Sequence, residues 1–108
     1  MVFYETPIFT EQIVTFLDDD SYRELQSVLI REPESGDLIP RSRGLRKIRW
    51  RVSGKGKRGG IRVIYYTVTR DQIYLLYAYS KNRQENLTQE QTNRLRNLVD
   101  QHLADEQH

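Results

Sequence analysis

Two neighbouring strand-like segments in the second half of the chain constrain its fold most strongly. Residues 61–69 and 72–79 are rich in β-branched and aromatic side chains, which favour extended backbone on a half-buried sheet surface. Only Arg70 and Asp71 separate them, and so short a connection joins antiparallel neighbours. Residues 45–52 have the same character, so the sequence predicts three consecutive antiparallel strands.

Three other segments carry apolar residues at helical spacing behind a helix-start signal. The first begins near Thr6 or Thr10, the second follows the aspartates at 18–20, and the third begins at Thr88. Residues 2–5 add a short alternating strand. The predicted order is β-α-α-β-β-β-α, an α+β fold in which two N-terminal helices and a C-terminal helix pack on one face of a small antiparallel sheet and leave the other face available.

The length and composition of the chain fit a single domain over residues 1–108. No apolar stretch approaches the roughly 20 residues of a membrane helix, and the start lacks the pattern of a signal peptide. The absence of cysteine excludes disulfides, thiolate nucleophiles and cysteine metal sites. We therefore expect a cytoplasmic protein that depends on packing for its stability.

Positive charge is concentrated in the middle of the chain. Residues 41–62 contain ten lysines and arginines and no acid, whereas residues 1–40 contain nine acids and two bases. Crowded like charges repel one another, so their concentration in a folded domain favours an anionic partner such as a nucleic acid. A solvated basic loop is the alternative.

The first of the three predicted strands has a basic face. Alternation along residues 45–52 places Lys47, Arg49 and Arg51 on one side and apolar side chains on the other. The following segment, SGKGKRGG, sets cations among glycines, where the backbone can approach a phosphate closely; its cations are Lys55, Lys57 and Arg58. It is not a Walker loop, because a strand follows it and not a helix. A charge-protected edge strand and a flexible hairpin tip are the alternatives.

Two further cations flank the predicted hairpin. Arg62 alternates with apolar residues on its strand, which is unusual for a permanently charged guanidinium unless that end of the sheet faces an anion. A snorkelling arginine is the alternative. Lys81 follows the last strand, beside Tyr79. If the strands form a meander, Arg49, Arg62 and Lys81 converge on one groove, where a tyrosine can stack on an RNA base.

Several kinds of chemistry have no residues to support them in this sequence. His102 lies on a predicted helix and His108 is the last residue, so a catalytic histidine pair has no place. No cluster of His, Asp and Glu has metal-ligand spacing, and we expect neither a metal nor another cofactor. A carboxylate base would have to come from outside the basic segment, for example from Glu85.

The combined motifs resemble a known family. GLRKIRW, GKGKRGGIRVIYY and IYLLYAYSKNRQENLT, with FYETPIFT at the start, are similar to the RelE/ParE superfamily of toxins from type II toxin–antitoxin systems, in the HigB-like branch of RelE. The resemblance implies a small antiparallel sheet with two N-terminal helices. It also implies an endoribonuclease that cuts mRNA in the ribosomal A site, without a membrane association, until a cognate antitoxin blocks it.

The resemblance also implies roles for individual residues. Lys47 and Arg49 match the basic strand pair, Arg62 matches the arginine that begins the next strand, and Lys81 stands where RelE has an arginine. Leu87 falls where RelE has a C-terminal tyrosine implicated in catalysis, so the proton-transfer residues stay open. The expected catalytic residues are Arg49, Lys57, Arg62 and Lys81, and the expected RNA-binding residues are Lys47, Arg51, Lys55, Arg58 and Tyr79. A ParE-like inhibitor of DNA gyrase and a non-catalytic nucleic-acid-binding module are the alternatives.

Overall fold

The computed structural model describes residues 1–52 and 60–106, which form a five-stranded sheet and three helices. The elements are β1 (Val2–Glu5), α1 (Pro7–Phe16), α2 (Asp19–Arg31), β2 (Asp37–Leu38), β3 (Arg46–Trp50), β4 (Ile61–Thr69), β5 (Gln72–Ser80) and α3 (Gln89–Glu106). The predicted α+β class and the order of helices are confirmed. The short strand β2 was not predicted, because a two-residue strand shows no alternation in sequence.

The sheet has the strand order β1-β5-β4-β3-β2. The predicted antiparallel meander of β3, β4 and β5 is confirmed. The expectation of a purely antiparallel sheet was wrong, because β1 pairs with β5 in parallel, with Val2 opposite Gln72. These strands are far apart along the chain, so no short turn determines their relative direction.

The helices begin where their capping residues predict. Thr6 caps α1 through a hydrogen bond from a backbone N–H to its hydroxyl, and Pro7 follows as the first helical residue. Asp18 caps α2 in the same way. Thr88 and Gln91 form a capping box, in which each side chain accepts a hydrogen bond from the other residue's backbone N–H, at 3.1 and 2.9 Å. No helix of the described residues is long and apolar enough to cross a bilayer.

The helices cover both faces of the sheet, which corrects the expectation that they share one face. α1 and α2 pack on the face that carries Ile48, Val63 and Tyr65. α3 packs on the opposite face, where Leu95 and Val99 contact the core that includes Ile64. The alternation of β4 places Arg62 on this second face as well. The α3 face therefore has an apolar part beneath the helix and a basic part beside it.

Tyr65 anchors the connection between α2 and β2. Its buried hydroxyl donates to the carbonyl of Pro33 at 2.7 Å and accepts from the N–H of Gly36 at 2.8 Å. A Cβ atom at position 36 would lie 2.8 Å from the Tyr65 ring, so glycine is required for this approach. The connection enters β2 and β3 in a fixed position as a result.

Replacing Tyr65 with Phe should lower the free energy of unfolding by about 1–3 kcal/mol, because a buried N–H and a carbonyl lose their shared partner. Tyr66→Phe is the matched control, since the Tyr66 ring is only half-buried and lies under the guanidinium of Arg96, 4.9 Å away. Urea unfolding of both variants measures the difference. Equal stability of the two variants would contradict the anchoring role of the Tyr65 hydroxyl.

Candidate functional site

The register of the sheet aligns three candidate residues in one row. Arg49 of β3 lies opposite Arg62 of β4, and Arg62 lies opposite Tyr79 of β5. Directly opposite residues in antiparallel strands point to the same face, with Cβ atoms about 5 Å apart. Lys47 precedes Arg49 on the same face by alternation. The structure therefore brings together Lys47, Arg49, Arg62 and Tyr79, which we call the basic row.

Arg62 is the most buried charged residue of the basic row, with 4% of its surface exposed. Its Nη2 atom lies 4.0 Å from Oε1 of Glu85, and its Nη1 atom donates to the carbonyl of Ile61 at 3.4 Å. A guanidinium stays charged at all physiological pH values, so burial makes a nearby anion favourable. The Glu85 side chain is 56% exposed, so the carboxylate end of this ion pair is in contact with solvent.

Tyr79 adjoins Arg62 but belongs to the core of the α3 face. Its hydroxyl donates to the backbone carbonyl of Glu85 at 3.5 Å. Burial raises the pKa of the Tyr79 hydroxyl to about 12, although the positive charge of Arg62 acts in the opposite direction. The phenol is therefore neutral at physiological pH and can donate a hydrogen bond, but it is a poor base. Its predicted role in RNA binding stays a prediction.

Lys47 and Arg49 line a cavity of about 390 Å³ between β3 and the start of α3, which we call the β3 cavity. Residues 37–41 form one wall, and Asn86, Leu87, Gln89 and Thr92 form the other. Nζ of Lys47 donates to Oδ1 of Asn86 at 2.8 Å. Arg49 is exposed to solvent. The mouth of the cavity therefore carries a solvent-exposed positive charge.

The remaining predicted site residues lie at the end of the sheet or outside the described residues. Arg51 is exposed just beyond β3. Lys81 is exposed just beyond β5, where its backbone N–H donates to the carbonyl of Gly60 at 3.2 Å. Lys55, Lys57 and Arg58 lie outside the described residues. The roles of these five cations stay predictions.

Sequence reasoning missed one wall of the β3 cavity. Residues 37–41 lie in a connection without periodicity, and they come near Lys47 only because β2 pairs with β3. Asn86 was missed as well, because a single asparagine in a polar loop shows no sequence pattern that predicts a binding site. Leu87 was noted only for the tyrosine it replaces in the family pattern. The capping box at Thr88 could have indicated this wall, because it places residues 86 and 87 immediately before the start of a helix.

His102 has a structural position in the contact between α3 and the sheet. Its ring lies between those of Tyr4 and Tyr74, with centroid distances of 4.6 and 4.5 Å, and its Nε2 atom is 3.4 Å from Oε1 of Glu106. Among the residues of ranges 1–52 and 60–106, no group of three His, Asp or Glu side chains could hold a metal ion. His102 therefore lies apart from the basic row, which consists of three cations and a tyrosine.

These features define an α+β protein whose sheet carries a row of cations and a tyrosine beside its C-terminal helix. The family model described as the RelE toxin of the RelE/RelB toxin–antitoxin system matches residues 36–108, more than half of the chain. The chain belongs to the RelE toxin family. It is therefore a toxin of a toxin–antitoxin system, a class that generally inhibits translation. The matched range contains the whole basic row and both walls of the β3 cavity. Membership of the HigB-like branch stays a prediction.

Proposed function

We propose that this toxin is a metal-independent endoribonuclease that cuts mRNA on the ribosome and thereby inhibits translation. The observation that supports it best is the row of Arg49, Arg62 and Tyr79 across three strands, with Arg62 buried next to the exposed carboxylate of Glu85. A buried, preorganised guanidinium binds a phosphate with little rearrangement. This arrangement suits phosphoryl transfer, in which negative charge grows on the phosphate oxygens.

The proposed reaction is attack of an RNA 2′-hydroxyl on the adjacent phosphorus. The O2′–P bond forms, the bond from phosphorus to the 5′ oxygen breaks, and the products are a 2′,3′-cyclic phosphate and a 5′-hydroxyl end. Arg62 and Arg49 stabilise the charge on the phosphoryl oxygens. A base takes the proton of the 2′-hydroxyl, and an acid returns one to the leaving oxygen. Glu85 and Lys81 border the basic row, and Lys57 is the third candidate for these two roles.

The proposed partners are mRNA, the ribosomal A site and a cognate antitoxin protein, which together place the toxin in the cytoplasm. The ten cations of residues 41–62 supply backbone attraction of the kind that nucleic-acid-binding proteins use. Such attraction carries little sequence information. The choice of cleavage site must therefore come from the ribosome or from contacts to individual bases.

Primer extension on total mRNA after a short pulse of toxin expression tests the proposal. New 5′ ends inside coding regions, accumulating within minutes of induction, support the endoribonuclease. Growth arrest with DNA damage and without new mRNA ends would replace it with a gyrase inhibitor. Arrest with neither change would point to a protein that binds nucleic acid without cutting it.

Removal of magnesium and transition-metal ions should leave cleavage unchanged, because the proposed chemistry uses only arginine, lysine and carboxylate groups. The toxin is treated with a chelator, desalted, and assayed on programmed ribosomes held together by calcium in place of magnesium. His102→Gln should also retain the wild-type cleavage rate, since His102 contacts Tyr4 and Tyr74. A loss of cleavage that added magnesium or manganese restores, with ribosomes intact, would contradict the metal-independent mechanism.

A further inference from the structure

The β3 cavity has the size and walls of a site for one small aromatic group. Its volume of about 390 Å³ lies near the lower end of the range of about 300–1,000 Å³ that small-molecule sites occupy. Ile39 and Leu87, which pack against the core of the α3 face, supply apolar walls. A flat ring can therefore be desolvated there, whereas a folded nucleic-acid segment cannot enter.

The polar groups of the cavity are arranged to accept a ligand with both hydrogen-bond donors and acceptors. The ammonium group of Lys47 can only donate, so its 2.8 Å contact requires Asn86 to present its Oδ1 atom. The amide NH₂ group of Asn86 then points away from Lys47 as a donor. The carboxylate of Asp37 lies on the opposite wall as an acceptor. Every nucleobase carries neighbouring donors and acceptors on its pairing edge.

The cavity is formed in advance by contacts within the protein. Oε1 of Gln89 accepts from Nε of Arg41 at 3.2 Å, and Nε2 of Gln89 donates to the carbonyl of Arg41 at 3.0 Å. These two bonds hold the wall of residues 37–41 against the start of α3. Oγ of Ser42 donates to the carbonyl of Ile39 at 2.6 Å and accepts from the N–H of Leu45 at 3.0 Å, which fixes the turn behind the wall.

From these observations we infer that the β3 cavity binds a single nucleobase of the RNA strand whose backbone phosphate lies on Arg49. The charge of Lys47 and Arg49 at the mouth attracts the phosphate, and the base packs against Ile39 and Leu87. The base accepts a hydrogen bond from Asn86 and donates one to Asp37. This inference deepens the proposed function, on which it rests, by assigning the residues that distinguish one nucleotide from the next.

Chemical-shift mapping with two kinds of small probe, nucleotides and a sugar phosphate, tests the site. Each of the four ribonucleoside 5′-monophosphates should shift the backbone amide signals of Leu38, Leu87 and Thr92, whereas ribose 5-phosphate should shift only those of Lys47 and Arg49. Of the four nucleotides, at least one should bind more tightly than ribose 5-phosphate by about tenfold, the value of one or two added hydrogen bonds and a buried ring. Identical shifts for nucleotides and ribose 5-phosphate would overturn the inference.

Two variants separate base binding from phosphate binding. Asn86→Asp retains an acceptor for Lys47 and removes the donor, so the tightest nucleotide should lose about tenfold in affinity. Asn97→Asp is the matched control, because Asn97 is an exposed amide of α3 away from the cavity and the change of charge is the same. Leu87→Trp fills the cavity without a change of charge. It should abolish the base-dependent shifts while ribose 5-phosphate still binds, and base-dependent shifts that persist in Leu87→Trp would overturn the inference.

Cleavage of mRNA containing one abasic nucleotide distinguishes failure of this inference from failure of the proposed function. When the abasic position is moved through the A-site codon, one position should reduce cleavage by at least about tenfold in the wild type and have no effect in Leu87→Trp. Uniform cleavage at every position would overturn the base site while leaving the nuclease intact. Base-dependent shifts in a protein that cuts no mRNA would uphold the base site and reject the nuclease.

Discussion

Arg62→Ala should abolish growth arrest, because it removes the buried charge at the centre of the basic row. Loss of one preorganised donor to a developing oxyanion reduces turnover by about 10²–10³-fold in well-studied enzymes. The second guanidinium of the row, Arg49, is exposed and cannot supply the same charge in a desolvated position. The expected results are normal growth after induction and mRNA cleavage on ribosomes at least about a hundredfold slower.

The fold should survive this substitution. The ion-pair partner of Arg62 is Glu85, whose side chain is 56% exposed, so water can solvate the carboxylate once the guanidinium is absent. Arg62→Met fills more of the vacated volume and separates lost charge from lost packing. Arg94→Ala is the matched control, because Arg94 is an exposed arginine of α3 that pairs with Glu90 at 2.6 Å.

Three measurements decide the role of Arg62: growth after induction, the cleavage rate on programmed ribosomes, and the unfolding midpoint. Inactive but folded Arg62→Ala and Arg62→Met variants, with a fully toxic Arg94→Ala variant, support the assignment. Full toxicity of Arg62→Ala at wild-type expression would remove Arg62 from the catalytic residues. An unfolded Arg62→Ala beside a folded and fully toxic Arg62→Met would assign Arg62 to packing.

Local signals made much of the fold predictable from the sequence. The bounds of β4 were predicted to the residue, since Arg70-Asp71 leaves room only for a tight turn. Thr6, Asp18 and Thr88 fix the starts of the three helices through side-chain contacts within four residues of each cap. Interactions of this range are encoded in neighbouring residues, so a single sequence displays them.

The features that sequence reasoning missed depend on contacts between distant segments. The parallel pairing of β1 with β5 joins residues about 70 positions apart, and neither strand alone indicates its direction. α3 was placed on the wrong face, because an apolar stripe shows that a helix packs on a sheet without showing which face it covers. Long-range choices of this kind are made by the packing of the whole domain.

The basic row was predictable, but its surroundings were not. Once β3 and β4 form a meander, alternation places Arg49 and Arg62 on one face, and the register then aligns them. The contact of Glu85 with Arg62 depends on the path of the loop after β5, whose residues show no periodicity. The β3 cavity depends likewise on β2, a strand of two residues. Sites built on strands are therefore easier to infer than sites completed by loops.

Cleavage should require the ribosome. In the proposed mechanism the basic row supplies charge for the transition state, but burial raises the pKa of Tyr79 to about 12, so its hydroxyl is a poor base near neutral pH. The sequence resemblance puts Leu87 at the position of the family tyrosine, and Leu87 lies in the wall of the β3 cavity, where it offers no group for proton transfer. The site therefore has weak means of activating a 2′-hydroxyl, and much of the rate must come from alignment of the substrate. Correct alignment can supply about 7–11 kcal/mol.

The ribosome can provide this alignment if it holds the A-site codon bent and unstacked, close to the geometry of in-line attack. Purified toxin should then cut mRNA on ribosomes with an occupied P site and an empty A site at least about 10³-fold faster than the same mRNA free in solution. Both substrates must be compared at one salt concentration, because phosphate binding weakens steeply with ionic strength. Arg62→Ala on the same ribosomes controls for contaminating nucleases. Equal rates on free and ribosome-bound mRNA, both lost in Arg62→Ala, would show that the toxin's own residues align the RNA and that the ribosome contributes nothing to catalysis.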